Sequence, residues 1–142
     1  YGNCMRTWEK DCKRGSTMYV LDSSVLIELI NEYPRKEKVL SFIGDTPLTT
    51  TSISMHEVIA GVLSLKEYFI VQNIFHGITI FDHTPDAARL GAEIEQELTR
   101  AGTKINRFDL LIAGICKSHN AHLVTLDADF SKIKGLKVTV IK

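Results

Sequence analysis

Short apolar stretches that favour β-strands alternate with helical patterns along residues 18–142. Five stretches are predicted to be strands, at residues 18–21, 48–51, 78–81, 123–125 and 138–141. A helical pattern follows each of the first three strands, and two helical patterns precede the fourth. Strands joined through helices pair in parallel, and a parallel sheet is buried on both faces. The alternation therefore predicts an α/β fold with helices on both sides of a parallel sheet of about five strands.

The length of 142 residues indicates one domain with a core of its own. Lys and Arg together number 17, as do Asp and Glu, so the net charge indicates no class of partner. The apolar runs are far shorter than the roughly 20 residues of a membrane span. Residues 1–17 lack the apolar core of a signal peptide, and we expect an extension or tag there, ahead of a domain at 18–142. We therefore expect a cytoplasmic protein.

Acidic residues occur where the predicted strands end and the next helices begin. Asp22 follows the first strand, and Asp127 and Asp129 follow the fourth. Glu57 and Asp109 are each predicted to lie in the first turn of a helix. The carboxyl ends of parallel strands lie at one edge of the sheet, so we expect these carboxylates to converge there.

Each acid also has a local explanation as a helix-capping or first-turn residue. Asp22 can cap the first helix, and Ser54 and Glu57 have the spacing of a capping box that would open a helix at Ser54. Asn106 can cap a helix that carries Asp109 in its first turn, where the helix dipole favours an acid. Local roles alone do not explain why four sets of acids fall at the same edge of the sheet.

Carboxylates that gather in one place repel one another, and their pKa values rise. Hard divalent cations relieve this repulsion, and a site made only of oxygen ligands suits Mg²⁺ or Mn²⁺. Such a cation can also bind a substrate phosphate and activate water, so the acid pattern favours phosphodiester hydrolysis.

Four motifs, in order, resemble those of PIN domains, and among these the VapC-type toxins of prokaryotic toxin–antitoxin pairs. They are VLDSSVLIEL around Asp22, SISMHEVIAG around Glu57, RFDLLIAGIC around Asp109, and LVTLDADF with Thr125, Asp127 and Asp129. The resemblance covers residues 18–141. It implies a PIN-like three-layer α/β/α fold and a metal-dependent endoribonuclease that acts on RNA.

The resemblance also implies roles for individual residues. The acidic site residues would be Asp22, Glu57, Asp109 and Asp127, and Mg²⁺ or Mn²⁺ would be bound by Asp22, Asp109 and Asp127. The residues that orient the carboxylates or water would be Ser23, Thr125 and Asp129. Asp127 and Asp129 could share or exchange the fourth acidic role, and we favour Asp127 because it lies closer to the strand end. Family members are commonly homodimers, and the toxins are inhibited by a small antitoxin protein.

Lys104 and Arg107 precede Asp109 and are candidates for contact with RNA phosphate, with plain solvation as the alternative. Phe108 and Phe130 are expected to be core residues rather than surfaces for base stacking. The main functional alternative is a non-catalytic PIN-like module that binds RNA or protein. A nucleotide-binding domain is disfavoured because no glycine-rich loop follows the first strand. A phosphoacceptor receiver fits the length but not the LVTLDADF motif.

Overall fold

The computed structural model describes residues 18–31 and 33–142, and the extension predicted at 1–17 lies outside them. The strands are β1 (Tyr19–Leu21), β2 (Thr49–Thr51), β3 (Thr79–Phe81), β4 (His122–Thr125) and β5 (Val138–Val140). The α-helices are α1 (Ser23–Asn31), α2 (Lys36–Ile43), α3 (Ser52–Ala60), α4 (Leu65–His76), α5 (Pro85–Arg100) and α6 (Arg107–Ser118). A short 3₁₀ helix, η1, spans Ala128–Lys132.

The strands form one parallel sheet in the order β3-β2-β1-β4-β5. Side chains of the central strands alternate between two apolar clusters. Val20 and Leu123 pack with residues of α5 and α6, whereas Leu21 and Val124 pack with residues of α1 to α4. Because successive strand residues point to opposite faces, both faces of the sheet are buried. The predicted three-layer α/β/α fold with a five-stranded parallel sheet is confirmed.

Close packing of α5 against α6 fixes the helix that carries Asp109. A Cβ atom at Gly114 would lie 2.4 Å from the carbonyl oxygen of Ala87 and 2.9 Å from the backbone nitrogen of Gly91. These distances are shorter than van der Waals contact, so only glycine fits at position 114. The two backbones therefore approach each other more closely than side chains would allow.

Hydrogen bonds at the helix starts decide which residues act as caps. Asn106 accepts a hydrogen bond from the Phe108 N–H at 2.9 Å, so the predicted cap of α6 is confirmed. The capping box predicted at Ser54 is wrong. Thr51 leaves β2 in an extended conformation and accepts from the Ser54 N–H at 3.0 Å, so α3 begins at Ser52. Glu57 consequently lies in the second turn of α3 rather than in the first.

The two phenylalanines predicted to be core residues behave differently. Phe130 is completely buried, as predicted, but Phe108 is 49% exposed and the prediction for it is wrong. Phe108 lies in the first turn of α6, ahead of the buried run of residues 112–116. None of the helices in the described part of the chain is long and apolar enough to cross a membrane.

Candidate active site

The strand order reverses between β1 and β4. From β1 the chain moves outward through β2 to β3, and it then returns to the other side of β1 to form β4 and β5. In parallel sheets, segments that leave two such strands diverge and open a crevice at their carboxyl ends. Asp22 directly follows β1, and Asp127 follows β4 by two residues.

The carboxylate of Asp22 is buried and accepts three hydrogen bonds. Its Oδ1 accepts from the Ser24 hydroxyl at 2.5 Å and from the Val25 N–H at 3.2 Å, and its Oδ2 accepts from the Thr125 hydroxyl at 2.5 Å. Burial raises the pKa of Asp22 and the charge of Asp127 raises it further, while the three hydrogen bonds oppose the rise. Asp22 is therefore both a helix cap and the central acceptor of the crevice.

Two of these donors also hold the segment after β4. The Thr125 hydroxyl oxygen accepts a hydrogen bond from the Asp127 N–H at 3.0 Å, and the Ser24 hydroxyl oxygen accepts from the Leu126 N–H at 3.1 Å. Each hydroxyl thus donates to Asp22 and accepts from the backbone beside Asp127. These four hydrogen bonds tie the two strand ends of the crevice together.

Glu57 enters the site from α3, which packs against α1. Its Oε1 accepts a hydrogen bond from the Ser23 hydroxyl at 3.3 Å. Burial raises the pKa of Glu57, and the charge of Asp22 contributes to the rise, whereas Ser23 and His56 act in the opposite direction. The effect of Asp22 on Glu57 indicates that the two carboxylates are close enough to interact.

Asp109 enters the site from the first turn of α6. The pKa of Asp109 is raised from an ordinary value of 3.8 to about 7, and burial is the largest cause. Four other carboxylates add to this rise, in decreasing order those of Asp127, Asp22, Glu57 and Asp129. The four other acids predicted from the sequence thus all act electrostatically on Asp109, although among the described residues no three acidic side chains are grouped closely enough to hold a metal ion.

Asp127 and Asp129 have different surroundings. Asp127 caps η1, because its Oδ1 accepts from the Asp129 N–H at 2.9 Å. Asp129 forms an ion pair with Lys132, with 2.8 Å between its Oδ1 and the lysine Nζ. Of the two, Asp127 raises the pKa of Asp109 more strongly. Asp129 thus lies at the margin of the acid cluster and already has a cation beside it.

The two basic residues of the preceding segment are exposed. Lys104 lies in the loop before α6, and Arg107 is the first residue of that helix. The guanidinium Nη2 of Arg107 lies 3.1 Å from Oε1 of Glu95, and the Arg107 side chain remains 80% exposed. Exposed ion pairs of this kind are weak, so Arg107 is free to change partners.

A model of the PIN domain matches residues 19–136 of the chain, a segment that includes every acid described above. The chain belongs to the PIN domain family. Its motifs were predicted to be of the VapC type, and this resemblance is confirmed by the relatives that follow.

This PIN domain is similar in sequence to two proteins named tRNA(fMet)-specific endonuclease VapC. It is 23% identical over 124 residues to the protein of Shigella flexneri, which covers 84% of this chain and 94% of the relative. It is 24% identical over 125 residues to the protein of Salmonella typhimurium strain LT2, which covers 84% and 95% respectively.

Solved structures of VapBC complexes have the same fold. The Salmonella typhimurium VapBC bound to DNA matches with a TM-score of 0.76 at 24% identity, over 89% of this chain and 99% of that chain. The Rickettsia felis VapBC2 bound to a promoter DNA fragment matches with a TM-score of 0.75 at 26% identity, over 89% and 100%. The PIN domain described here is therefore VapC-like in sequence and in fold.

One contact of this PIN domain was missed in the sequence. Ser23 was selected as an orienting hydroxyl, but Ser24 was not, although it is Ser24 that contacts Asp22. The sequence spacing could have predicted this contact, because an Asp side chain commonly hydrogen-bonds to the residue two positions later in the chain. Ser23 and Ser24 therefore serve different carboxylates, Glu57 and Asp22.

Proposed function

We propose that this PIN domain is a metal-dependent endoribonuclease that hydrolyses RNA phosphodiester bonds, and that it is the toxin of a type II toxin–antitoxin pair. The observation that carries the proposal is the gathering of carboxylates around Asp109, whose pKa is raised to about 7 by burial and by its acidic neighbours. Carboxylates that repel one another in a crevice are suited to a hard divalent cation and, through it, to a phosphate substrate.

The oxygen atoms of these carboxylates support Mg²⁺ or Mn²⁺ by their chemistry. Their positions do not yet form a complete coordination geometry. Among the described residues, no three His, Cys, Asp or Glu side chains are grouped closely enough to hold a metal ion. The donors in the crevice are carboxylate oxygens, which suit Mg²⁺ or Mn²⁺. We assign the ion to Asp22, Asp109 and Asp127. Once bound, the ion supplies Lewis-acid activation of water and of a phosphate group.

Side chains of this PIN domain would orient the reacting groups. Thr125 holds Oδ2 of Asp22, and Ser23 holds Oε1 of Glu57, so each carboxylate keeps one defined orientation. We propose that Glu57 accepts a proton from the attacking water, because burial and the charge of Asp22 raise its pKa and make it a stronger base than an ordinary glutamate. Asp129 would act indirectly, through the hydrogen bond from its N–H to Asp127.

Contact with the RNA backbone is assigned to Lys104 and Arg107. Both are exposed in the segment that leads to Asp109. A cluster of carboxylates repels the phosphates of RNA, so cations at the margin of the crevice would help to hold the strand. The weak ion pair with Glu95 leaves Arg107 available for this contact.

The relatives suggest the substrate and the partner. Because the two sequence relatives are named as tRNA(fMet)-specific endonucleases, we propose a tRNA as the RNA substrate. Solved structures of similar fold are VapBC complexes, one of which is described as a member of a family of toxin–antitoxin systems. We therefore propose a small antitoxin protein as the partner. From the family resemblance of the sequence motifs we also propose a homodimeric toxin, and we propose a cytoplasmic location.

The proposal is tested by cleavage of purified initiator tRNA and total RNA in Mg²⁺ or Mn²⁺, and again in EDTA. We expect metal-dependent cleavage that falls at least about 100-fold in Asp22→Asn and in Asp109→Asn. Glu93→Gln is the matched control, because it removes an exposed acid of α5 whose partner is Arg89. This control should cleave at the wild-type rate.

Two outcomes would contradict the nuclease proposal. Cleavage that persists in EDTA, or in both acid variants, would mean that the acids do not form the catalytic site. Absence of cleavage, together with a melting temperature that Mg²⁺ and Mn²⁺ leave unchanged, would favour the alternative of a non-catalytic module that binds RNA or protein.

A further inference from the structure

Two exposed aromatic residues directly precede acids of the candidate active site. Phe108 directly precedes Asp109 on α6, and His56 directly precedes Glu57 on α3. The ring centroids are 6.5 Å apart and the ring planes are 26° from parallel. Two helices that supply acids to the site therefore also supply one stacked aromatic pair beside it.

Core packing does not explain the position of Phe108. The ring is 49% exposed, whereas residues 112–116 of the same helix are buried. An apolar ring held half in water gains little from the hydrophobic effect. His56 is exposed as well, so the pair presents its aromatic surface to solvent.

We propose that Phe108, stacked with His56, is the platform on which a nucleobase next to the scissile phosphate of the RNA stacks. This inference rests on the proposed nuclease function, because it concerns how the same site would hold its substrate. Unpaired bases of RNA commonly stack on aromatic side chains, and this contact tolerates different bases.

The charge distribution favours a base contact at this position. The acids beside the rings repel phosphate, so the RNA needs an uncharged contact close to the reacting bond. Arg107, next to Phe108, is exposed and offers a cation for the flanking phosphate. An aromatic platform with a cation beside it is the usual combination in sites for single-stranded nucleic acid.

The aromatic pair on α4 provides an internal comparison. Tyr68 and Phe69 are also exposed, but their rings meet edge to face at 70° and belong to a helix that supplies none of the five acids. Phe69 is 59% exposed, so its replacement removes an aromatic ring of similar exposure outside the candidate site.

The test compares Phe108→Leu, which keeps an apolar side chain but removes the ring, with Phe108→Trp, which keeps a stacking surface. Binding is measured in the cleavage-inactive Asp127→Asn background in Mg²⁺. The probes are a fluorescein-labelled oligoadenylate of about 12 nucleotides and an abasic ribose-phosphate chain of equal length. Phe69→Leu is the matched control, and KM and kcat are measured for each change without Asp127→Asn.

We expect Phe108→Leu to weaken oligoadenylate binding and to raise KM about 5- to 100-fold, with a smaller change in kcat. Phe108→Trp and Phe69→Leu should stay within about 3-fold of their parent proteins. Binding of the abasic chain should be the same with Phe or Leu at position 108, since no base is present to stack.

Wild-type protein that cleaves RNA, combined with an unchanged KM and affinity in Phe108→Leu, would overturn the platform and leave the nuclease proposal intact. Phe108 would then be assigned to contact with a protein partner. Equal weakening of oligoadenylate and abasic binding would also overturn it, because the ring would not be acting on a base. Wild-type protein that neither binds nor cleaves RNA would overturn both proposals.

Discussion

Asp22 and Asp109 repel each other electrostatically but are held in opposite ways. The carboxylate of Asp22 is buried at the end of β1, and two hydroxyls and one backbone N–H donate to it. Asp109 is half-buried in the first turn of α6, and burial and four neighbouring carboxylates raise its pKa. In the described part of the chain, no donor opposes this rise at Asp109 as three donors do at Asp22.

The site therefore combines two kinds of carboxylate. Asp22 is fixed by hydrogen bonds, whereas Asp109 is fixed by the position of its helix. Hydrogen bonds set both oxygens of Asp22, whatever happens to α6. Asp109 depends on the close contact between α5 and α6 at Gly114 to remain near four like charges. We therefore expect changes at the two residues, and at their supports, to have different effects on stability and on cleavage.

The largest effect on stability is expected from Gly114→Ala, which disturbs the contact between α5 and α6 that positions Asp109. The new methyl group would lie 2.4 Å from the Ala87 carbonyl oxygen, so α6 must move away from α5. We expect the free energy of unfolding in urea to fall by about 3 kcal/mol. Gly77→Ala is the control, because its Cβ would make an ordinary contact at 3.8 Å. Equal stability of the two variants would contradict the close-packing argument.

Thr125→Val removes the side-chain hydroxyl that donates to Asp22. The change removes the donor to Oδ2 of Asp22 and the acceptor of the Asp127 N–H, so one buried and one partly buried polar group lose a partner. We expect a loss of about 2 kcal/mol in unfolding free energy and a fall of about 10- to 100-fold in cleavage rate. Thr50→Val is the control, since its buried hydroxyl donates to a backbone carbonyl, that of Leu21, rather than to a carboxylate. If cleavage fell equally in the control, the role of Thr125 in orienting Asp22 would be wrong.

Asp109→Asn should stabilise the metal-free protein, although we expect it to abolish cleavage. The raised pKa, about 7 in the folded protein against 3.8, means that ionisation of Asp109 costs stability as the pH rises through this interval. Removal of the charge should add about 1–2 kcal/mol at pH 8 in EDTA, with allowance for the partial exposure of the group. The gain should be small at pH 4 and vanish below about pH 3, where the wild-type carboxyl group is protonated in both states.

The matched change Asp22→Asn should stabilise the protein less under the same conditions. An amide leaves one acceptor oxygen for three donors, so lost hydrogen bonds offset the removal of the charge. Urea unfolding at pH 4 and pH 8 in EDTA measures both variants. A larger gain in unfolding free energy for Asp22→Asn than for Asp109→Asn would contradict the idea that hydrogen bonds stabilise the charge of Asp22.

The smallest effect is expected from Asp129→Asn. Its ion pair with Lys132 is about half exposed on both sides, and such pairs contribute less than about 1 kcal/mol. We expect cleavage by Asp129→Asn to fall far less than cleavage by Asp127→Asn in the same assay. An equal or larger loss in Asp129→Asn would mean that Asp129, rather than Asp127, is the fourth acid.

Local sequence was sufficient to predict most of the elements. The five strands lie within one residue of their predicted ends, and the cap of α6 at Asn106 is confirmed. These features depend on strand propensity and on hydrogen bonds between neighbours in sequence, so short windows contain the information. The positions of the acids at strand ends and helix starts, together with the parallel sheet, were enough to select five carboxylates, four of which act electrostatically on the fifth, Asp109.

Errors arose where a residue had two possible local roles. Ser54 has the spacing of a capping box, but Thr51 is the residue that caps α3. Thr51 takes this role because β2 leads into α3 without a loop. Phe108 is an apolar residue of the kind found in protein cores, yet its place in the first turn of α6 leaves its side chain about half exposed to solvent. Which side of a helix becomes buried depends on the neighbouring helices, and a short window does not contain them.

By itself, the sequence determined the alternation of strands and helices and the placement of acids at strand ends, because both follow from patterns over a few residues. Only the tertiary structure decided which carboxylates receive donors from outside their own segment of the chain. Asp22 is held by Thr125, distant in sequence, and buried Glu28 is paired with Arg35 at the start of another helix. The desolvation and repulsion that raise the pKa of Asp109 depend on distances between separate elements, so they exist only in the folded chain.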